Sequence, residues 1–554
     1  MSLHTTCSGL EAGKINDALS TGCACDVKHE YQSLIDSFLE GRTPAGDEKS
    51  TLILLTLLHV TSEAAVKSLR SRKICPALLE IVKNIGRQCQ IVQITLKVHL
   101  ATPDNFIRHS CMLTLSSLAT LNESIQSKVF RFLDEEVTRF DTLLQEERDR
   151  YYKLISFMLS QQSRSSHPQH GQEPSCPSLE SCEPQRDDDN GLTPRLENTV
   201  RKWWSAVHTK REDRSLNVCS CSLLKMWYNI LKHCPNVVTF DDCSVDCLLA
   251  VSTGECAILS NLALEILDEG LCSLTMEADL TRTASWIPLL SAKLTEALCK
   301  GWLQRLPYRN DTCGFGGILR EPIVSATKRK EEAFVVGDSR MLRRALLITL
   351  KASVARIYQG ELEVVTDIHS KAFAWVSSKS SSVAPRLTVE DCLVRTFIDQ
   401  DDQLTECLLM ELLLHLKLPG PMRDESSPRE RVGVLNPHLL FLHFLTSLGN
   451  DHTTLVDLVT SDETCALLYF VRYLKLVLSD WDAFLASHKC FENSIRTNEF
   501  PAEDATAVTD RTMAVLIRLR MKLERMSQKG LVPFNVGPLL RLIERCESLY
   551  EEAS

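Results

Sequence analysis

The sequence predicts an all-α protein, either an irregular armadillo-like solenoid or a set of stacked helical bundles, with a short helical C-terminal domain. Apolar residues recur at helical spacing from Ser50 almost to the end of the chain. Period-two alternation of β-branched residues is scarce, and no Asn-Gly or Asp-Gly hairpin signal separates such runs. Successive helices that are apolar on more than one face are typical of stacked helix pairs. No fixed repeat of about 34 to 47 residues is legible, so both arrangements stay open.

Residues 1–49 are predicted to be weakly structured apart from "YQSLIDSFL", residues 31–39, and residues 50–160 to form an N-terminal helical region. Pro76 and Pro103 lie near predicted helix starts, where a missing N–H has no intrahelical partner to lose. Apolar residues between 129 and 144 also follow helical spacing. Residues 161–199 are rich in Ser, Pro, Gln and acidic residues and nearly free of large apolar ones, so we predict a disordered linker.

Beyond the linker, residues 200–490 predict a central helical domain and residues 505–554 a C-terminal one. In the central domain Leu404, Leu408, Leu412 and Leu416 form an i, i+4 stripe. Such a stripe is typical of a helix packed against its neighbours.

The stretch "SDETCALLYFVRYLKLVLSDW", residues 461–481, is among the most apolar of the chain. Thr460 and Glu463 fit a T-x-x-E capping box, which predicts a helix start here. The predicted packing face consists of Leu467, Phe470, Val471, Leu474 and Leu478, and other apolar residues cover most of the remainder. A helix apolar nearly all round is buried on several sides. Arg472 and Lys475 are expected to reach solvent along apolar stems, or to meet acidic partners.

Composition and charge limit the classes of function. The chain has 554 residues, of which 44% are hydrophobic and 24% charged, as in ordinary folded proteins. Its 62 Lys and Arg against 72 Asp and Glu give a net charge of −10, which disfavours a general nucleic-acid coat or a membrane-surface binder. A local basic patch could still bind either.

The sequence predicts an intracellular protein without a membrane span. We find no secretory leader and no run of about twenty uncharged apolar residues. The 22 cysteines are therefore expected to be reduced thiols. Several lie among apolar residues, such as Cys111, Cys407 and Cys465, where a thiol acts as a small hydrophobe.

Two segments resemble the Lines family, whose founding member is an insect segment-polarity protein. "SDETCALLYFVRYLKLVLSDWDAF" is similar to a characteristic segment of that family, and "LVPFNVGPLLRLIERCESLYE" resembles its short C-terminal domain. "TMAVLIRLRMKLERMSQKG" supplies the helix that precedes that domain.

The resemblance implies a non-enzymatic regulator of developmental, Wnt-type signalling found in cytoplasm and nucleus, with regulatory proteins as partners. The family offers no catalytic motif, so no catalytic, cofactor-binding or metal-binding residue is assigned and no cofactor is expected. Membrane binding is not expected, and direct nucleic-acid or small-molecule binding is disfavoured.

The densest possible metal cluster runs from Cys219 to Cys247. It contains Cys219, Cys221, Cys234, Cys243, Cys247 and His233. Zinc needs four converging ligands, but paired C-x-x-C knuckles are missing, so buried thiols are the favoured interpretation. Gly314, Gly316 and Gly317 follow no strand and precede no G-K-[ST], which favours a plain loop over a phosphate site. No hydrolase elbow, zincin helix or kinase signature is present.

One helix combines an apolar stripe with a row of cations. The stripe is Leu516, Leu519, Leu523 and Met526, and the cations are Arg518, Lys522, Arg525 and Lys529. A partner helix or nucleic acid could use this face, although a solvated face over a packed stripe is the favoured interpretation. Trp203 and Trp204 could be an exposed anchor or core residues.

Three hypotheses of function remain open. The leading one is a protein-binding helical scaffold. The second is a nucleic-acid-associated transcriptional regulator that uses the basic C-terminal helix. The third is an unrecognised hydrolase or transferase in the helical middle.

Overall fold

A computed structural model of the chain describes residues 14–15, 17–18, 25–39, 48–70, 75–87, 89–121, 131, 145–165, 221–234, 240–272, 285–308, 339–379, 388–417, 435–496, 508–532 and 534–553. These residues form helices and contain no strand, which confirms the all-α prediction. None of the helices described is both long and apolar enough to cross a bilayer.

The helices fall into two compact units, residues 1–239 and 240–554. The first contains α1 (Lys28–Leu39), α2 (Glu48–Arg70), α3 (Pro76–Arg87), α4 (Cys89–Ala101), α5 (Asn105–Leu121), α6 (Gln145–Ser165) and α7 (Cys221–His233). The second contains α8 (Asp242–Ser252), α9 (Ala257–Gly270), α10 (Ile287–Cys299), α11 (Trp302–Arg305), α12 (Ser339–Tyr358), α13 (Leu362–Lys379), α14 (Val389–Phe397), α15 (Asp401–Lys417), α16 (Pro437–Ser447), α17 (His452–Thr460), α18 (Ala466–Ser479), α19 (Trp481–Arg496), α20 (Val508–Gln528) and α21 (Gly537–Ala553).

In the first unit, α2 packs along α5, and α6 packs against both α5 and α7. Leu55, Ile107 and Cys111 form a buried cluster between α2 and α5. The Thr114 hydroxyl lies close by and donates to the Leu55 carbonyl across the same helix pair. Cys111 is thus a core residue, as its apolar neighbours predicted, and burial raises the pKa of its thiol to about 12.

The second unit contains a row made of every third helix from α9, in which α9 contacts α12, α12 contacts α15, α15 contacts α18 and α18 contacts α21. Because α12 lies inside this row and also touches α10 and α13, nearly all of its side chains are buried. The predicted leucine stripe lies on α15, where Leu404, Leu408 and Leu412 are buried and Leu416 is half-buried.

Short polar side chains fix where several helices of the second unit begin. Asp241 and Ser244 form a capping box at α8. The Thr388 hydroxyl accepts from the Asp391 N–H at the start of α14. Asn436 accepts from two N–H groups at the start of α16, directly before Pro437. Each cap satisfies backbone donors that lack an intrahelical acceptor.

The predicted capping box of α18 is wrong. Thr460 is the last residue of α17, and its hydroxyl donates back to the Val456 carbonyl. The polar residues that follow form the connection, and α18 begins only at Ala466, where the Ala466 N–H donates to the Thr464 hydroxyl.

Helix α18 itself is a core helix, as predicted, although its buried face differs from the predicted one. It contacts α15, α17, α19 and α21. Its buried residues are Ala466, Tyr469, Phe470, Tyr473, Leu474, Leu476 and Val477, whereas Leu467, Val471 and Leu478 are only half-buried. Arg472 is half-buried and Lys475 is exposed, as their long stems predicted.

Several predictions lie outside the described residues. They concern the helix between 132 and 144, the linker residues 166–199, the Trp203–Trp204 pair and the glycines at 314–317. At the start of the predicted linker, α6 continues past residue 160 to Ser165.

Candidate interaction surface

Helix α20 carries an exposed row of cations, which we call the basic ridge: Arg511, Arg518, Lys522, Arg525 and Lys529. All five side chains are exposed. The successive spacings of seven, four, three and four residues place them along one side of the helix and the turn after it. The sequence predicted the last four, and Arg511, one heptad before Arg518, extends the row by the same periodicity.

A second side of α20 is buried. Leu516, Leu519 and Leu523 are core residues and Met526 is half-buried, so the predicted stripe is a packing face. This face rests on α17 and α19, where the Thr512 hydroxyl lies 3.3 Å from His488 Nε2. Packing therefore fixes which side of α20 faces solvent.

A third side of α20 is held against α21 by charge. Arg520 makes two parallel hydrogen bonds to Glu547, 2.7 Å from Nε to Oε1 and 3.0 Å from Nη2 to Oε2. Glu524 and Glu544 lie within 3.8 Å of the same guanidinium. Bidentate pairs of this kind fix orientation as well as adding energy. At the start of the helix the Tyr550 hydroxyl donates to Asp510 at 2.7 Å.

The basic ridge itself has no such partners. Within the part of the chain that the structure describes, no carboxylate lies within ion-pair distance of its five cations, and the only hydrogen bond seen there runs from Arg525 Nε to the Met521 carbonyl. Arg520 is thus neutralised by glutamates, whereas the ridge presents its charge to solvent.

Beside the basic ridge lies a short row of apolar residues, which we call the apolar strip: Ala514, Ile517 and Met521. Ala514 and Ile517 are half-buried, and Met521 is 48% exposed although it sits between charged neighbours. The spacings of three and four residues place the strip between the ridge and the side that meets α21. Leu531, just beyond the helix, is 62% exposed.

Buried charges form a second constellation, which the sequence did not reveal. Lys351 of α12 is fully buried, and its Nζ lies 2.6 Å from Asp268 of α9 and 2.9 Å from Glu406 of α15. Burial disfavours the ammonium, but Asp268 and Glu406 outweigh it and keep the pKa of Lys351 well above its usual value. The cluster therefore ties three helices of the row together. A lysine that stays charged is a poor general base.

A second buried group pairs His369 of α13 with Glu411 of α15, at 2.9 Å. Both side chains are almost fully buried, and His369 Nδ1 and Glu411 Oε2 have no hydrogen-bond partner among the described residues. With both groups enclosed in packed helices, this contact links α13 to α15 as a core interaction.

The cysteine cluster gives no metal geometry in the described residues. Cys219 lies outside them, Cys221 is half-buried at the start of α7, and Cys234 is buried. In α8, Cys247 is buried and Cys243 is exposed, although their spacing places them one turn apart. No group of three His, Cys, Asp or Glu side chains is arranged to hold a metal ion where the chain is described. The assignment of buried thiols over zinc stays a prediction.

Comparison with known families matches two stretches of the chain. The family model for the Lines N-terminus matches residues 268–490, and that for the Lines C-terminus matches residues 512–548. The first match runs from the end of α9 into α19, and the second contains most of α20 and most of α21. The apolar strip and all of the basic ridge except Arg511 therefore fall in the C-terminal match.

Three curated proteins are similar to parts of the chain. The Drosophila melanogaster protein "Protein lines" is 35% identical over 187 residues, which is 34% of this chain and 20% of that protein. "Protein Lines homolog 1" of Homo sapiens is 32% identical over 209 residues, 35% of this chain and 27% of its own length. The Mus musculus protein of the same name is 39% identical over 108 residues, 18% of this chain and 14% of its own. The matched part thus spans less than a third of each relative.

Proposed function

We propose that this chain, which belongs to the Lines family, is a non-enzymatic helical scaffold that binds other regulatory proteins. By the family resemblance, its place would be in developmental, Wnt-type signalling in the cytoplasm, the nucleus or both. The names of the matched relatives carry no enzymatic activity.

The observation that carries this proposal is the basic ridge beside the apolar strip on α20. Exposed cations with no carboxylate partner in the described part of the chain contribute little to the stability of their own helix, and so does an exposed methionine. They are, however, the residue types that a protein partner contacts, since charge guides the encounter and buried apolar area holds the complex. Their position in the Lines C-terminal match supports a role shared with the family.

We further propose an armadillo-like arrangement for the second unit. The repeated contact between each helix of the row and the third helix after it supports this arrangement. Stacked helical repeats expose long surfaces along their rows, which suit the binding of extended partners.

The test is reconstitution of a partner complex from purified components. Proteins that co-purify with the tagged full chain from cells would be produced separately and mixed with the pure chain. We expect at least one stable complex of defined stoichiometry by light scattering. If no co-purifying protein binds the pure chain directly, the scaffold proposal is wrong, and turnover of small substrates becomes the activity to look for.

This experiment needs the full chain, because a chain that ends at residue 500 would lack α20 and α21. Helices α20 and α21 pack on α17, α18 and α19, so their removal would uncover core side chains of α18. Lost binding could then reflect misfolding.

The second candidate function is nucleic-acid binding through the basic ridge, and its five exposed cations favour it. Phosphate contacts release counterions, so such binding would weaken steeply as salt rises. Filter binding of a DNA duplex between about 50 and 200 mM salt tests this. Absent or salt-insensitive binding would rule the candidate out.

A further inference from the structure

We infer that the basic ridge and the apolar strip of α20 together dock an acidic amphipathic helix of a partner protein. This inference rests on the proposed scaffold function and names the class of partner. It starts from the contrast within one helix, where Arg520 has three glutamates and the ridge has no carboxylate partner among the described residues. In a chain of net charge −10, a face whose cations have no carboxylate partner among the described residues is complementary to an acidic partner molecule.

The apolar strip limits the class of partner further, to one with apolar as well as acidic side chains. Met521 is exposed beside half-buried Ile517 and Ala514, so apolar and cationic rows run side by side along the helix. Methionine is flexible and polarisable, and it adapts to apolar partner side chains. A partner helix with an apolar stripe next to acidic residues would cover both rows at once.

The length and spacing of the two rows suit a helix. From Arg511 to Lys529 the ridge spans about 27 Å at 1.5 Å per residue, which corresponds to about five turns. Its spacings of seven, four, three and four residues match acidic residues placed three or four apart on a second helix. The strip offers the i, i+3, i+7 positions that an apolar stripe would meet.

Nucleic acid fits the same surface less well. Phosphates would use the cations, but they gain nothing from Met521 or Ile517. Proteins that bind single strands supply aromatic side chains on which bases stack, and neither the ridge nor the strip contains an aromatic residue.

The inference is tested with a synthetic probe and the full chain. The probe is a fluorescent amphipathic peptide of about twenty residues with Leu along one stripe and Glu beside it. The comparison probes are the same peptide with Lys for Glu, and a fluorescent DNA duplex. Fluorescence anisotropy measures their affinities. We expect binding of the acidic peptide and none of the basic one.

Matched variants separate docking from general attraction of anions. The double variant Arg518→Glu with Lys522→Glu should lower the affinity for the acidic peptide at least tenfold, since two attractive cations become repulsive carboxylates. The control is Arg541→Glu with Arg545→Glu on α21, which makes the same charge change at exposed residues with the same spacing. This control should bind the peptide within twofold of the parent chain. Met521→Ser should lower the affinity for the acidic peptide severalfold and leave the affinity for DNA unchanged.

Three outcomes would overturn the inference. The first is that the acidic peptide does not bind. The second is that the ridge variant and the control variant lose peptide affinity equally. The third is that DNA binds more tightly than the peptide and Met521→Ser has no effect. If the peptide fails but reconstituted partners still bind the full chain, the ridge is not the docking site and the scaffold proposal stands. If both fail, both are wrong.

A separate observation in the first unit points to an oxidisable thiol pair. Cys25 lies in the turn three residues before α1 begins, Cys75 directly precedes α3, and their Sγ atoms lie 3.6 Å apart. The two helices are held in register by the Lys28–Glu80 ion pair and by a hydrogen bond from Asn84 to Gln32. A disulfide needs an S–S distance of about 2.05 Å, so a shift of about 1.5 Å at two helix ends would suffice.

We propose that a peroxide converts this pair into a disulfide. One thiolate attacks hydrogen peroxide, breaking the O–O bond and giving a sulfenic acid with loss of hydroxide, which takes up the thiol proton to form water. The second thiol then displaces the sulfenic oxygen, which leaves as water with the remaining proton. Two thiols lose two electrons in total, and one peroxide becomes two water molecules.

Peroxide treatment of the full chain, followed by alkylation and mass spectrometry, tests this proposal. We expect a Cys25–Cys75 cross-linked peptide that dithiothreitol reverses and that Cys25→Ser abolishes. The exposed thiols of Cys243, Cys256, Cys299 and Cys490 serve as internal controls that should stay unlinked. Alkylation of both Cys25 and Cys75 after treatment, or their separate over-oxidation, would refute it.

Discussion

At the scale of single residues, Lys351 is the side chain whose loss should be most costly. We expect Lys351→Met to lower the free energy of unfolding by about 3–5 kcal/mol, because the partly buried carboxylates of Asp268 and Glu406 would lose their buried cation. Denaturant unfolding followed by circular dichroism measures the loss. Lys475→Met, at an exposed position of α18, is the matched control and should leave the transition nearly unchanged. Equal stability of the two variants would contradict the prediction.

Buried histidines predict how stability depends on pH. Burial lowers the pKa of His438 to about 3 and that of His488 to about 4, and His415 and His488 add to the shift at His438. A base whose pKa is lower in the folded state binds fewer protons there than in the unfolded chain. Its stabilising contribution is therefore present above about pH 6.5 and is lost as pH falls from there toward 3 or 4.

We expect His438→Gln to flatten this pH dependence. Each proton bound only by the unfolded chain changes stability by about 1.4 kcal/mol per pH unit. Unfolding measured at several pH values between about 4 and 7 gives the slope in each variant. Leu531→Gln, at an exposed position beyond α20 that carries no titratable group, should keep the slope of the parent. If His438→Gln keeps it as well, then His438 does not titrate as described.

At the scale of single helices, α18 is the element with packed neighbours on most sides. Phe470 is fully buried and meets Phe441 of α16 edge-on, with ring centroids 5.8 Å apart. We expect Phe470→Ala to cost about 3–5 kcal/mol, since the cavity it leaves is enclosed by several helices. Ser479→Ala, exposed at the end of the same helix, is the control for thermal unfolding. A loss below 1 kcal/mol would mean that α18 is loosely packed.

Sequence periodicity predicted the buried side of α20 but neither the buried face nor the start of α18. On α20 the leucine stripe is buried and the cations are exposed, because apolar and charged residues fall on different sides of the helix at 3.6-residue spacing. Helix α18 is apolar nearly all round, so its sequence offers no such contrast. The start of α18 was misplaced, because a Thr three residues before a Glu also occurs where one helix ends. The hydroxyl of Thr460 donates a hydrogen bond to the Val456 carbonyl, one turn earlier in α17, and this bond forms only because α17 is helical up to Thr460.

At the scale of the whole chain, the two compact units predict separate folding. Residues 240–554 form their own core, and Asp241 caps their first helix. We expect this fragment alone to show helical circular dichroism and one cooperative thermal transition. A non-cooperative melt, or helix content far below that of the described helices, would show that residues 1–239 are needed for folding.

The Lys351 cluster of the second unit could not be predicted from the sequence, because its charges are far apart along the chain and meet only in the folded unit. Lys351 is separated from Asp268 by 83 residues. A charged residue in an amphipathic helix ordinarily predicts a solvent-exposed face. Only the row of stacked helices brings the three charges together, and that row has no sequence repeat that would reveal it.

The position of Lys351 has a consequence for synthesis on the ribosome. At about 5 to 20 residues per second, Lys351 emerges roughly 4 to 17 seconds after Asp268, and Glu406 follows some seconds later. During that interval the nascent helices hold an unmatched charge that resists burial. The middle of the second unit would therefore close only when α15 has left the exit tunnel, which makes these seconds the period when a chaperone is most useful.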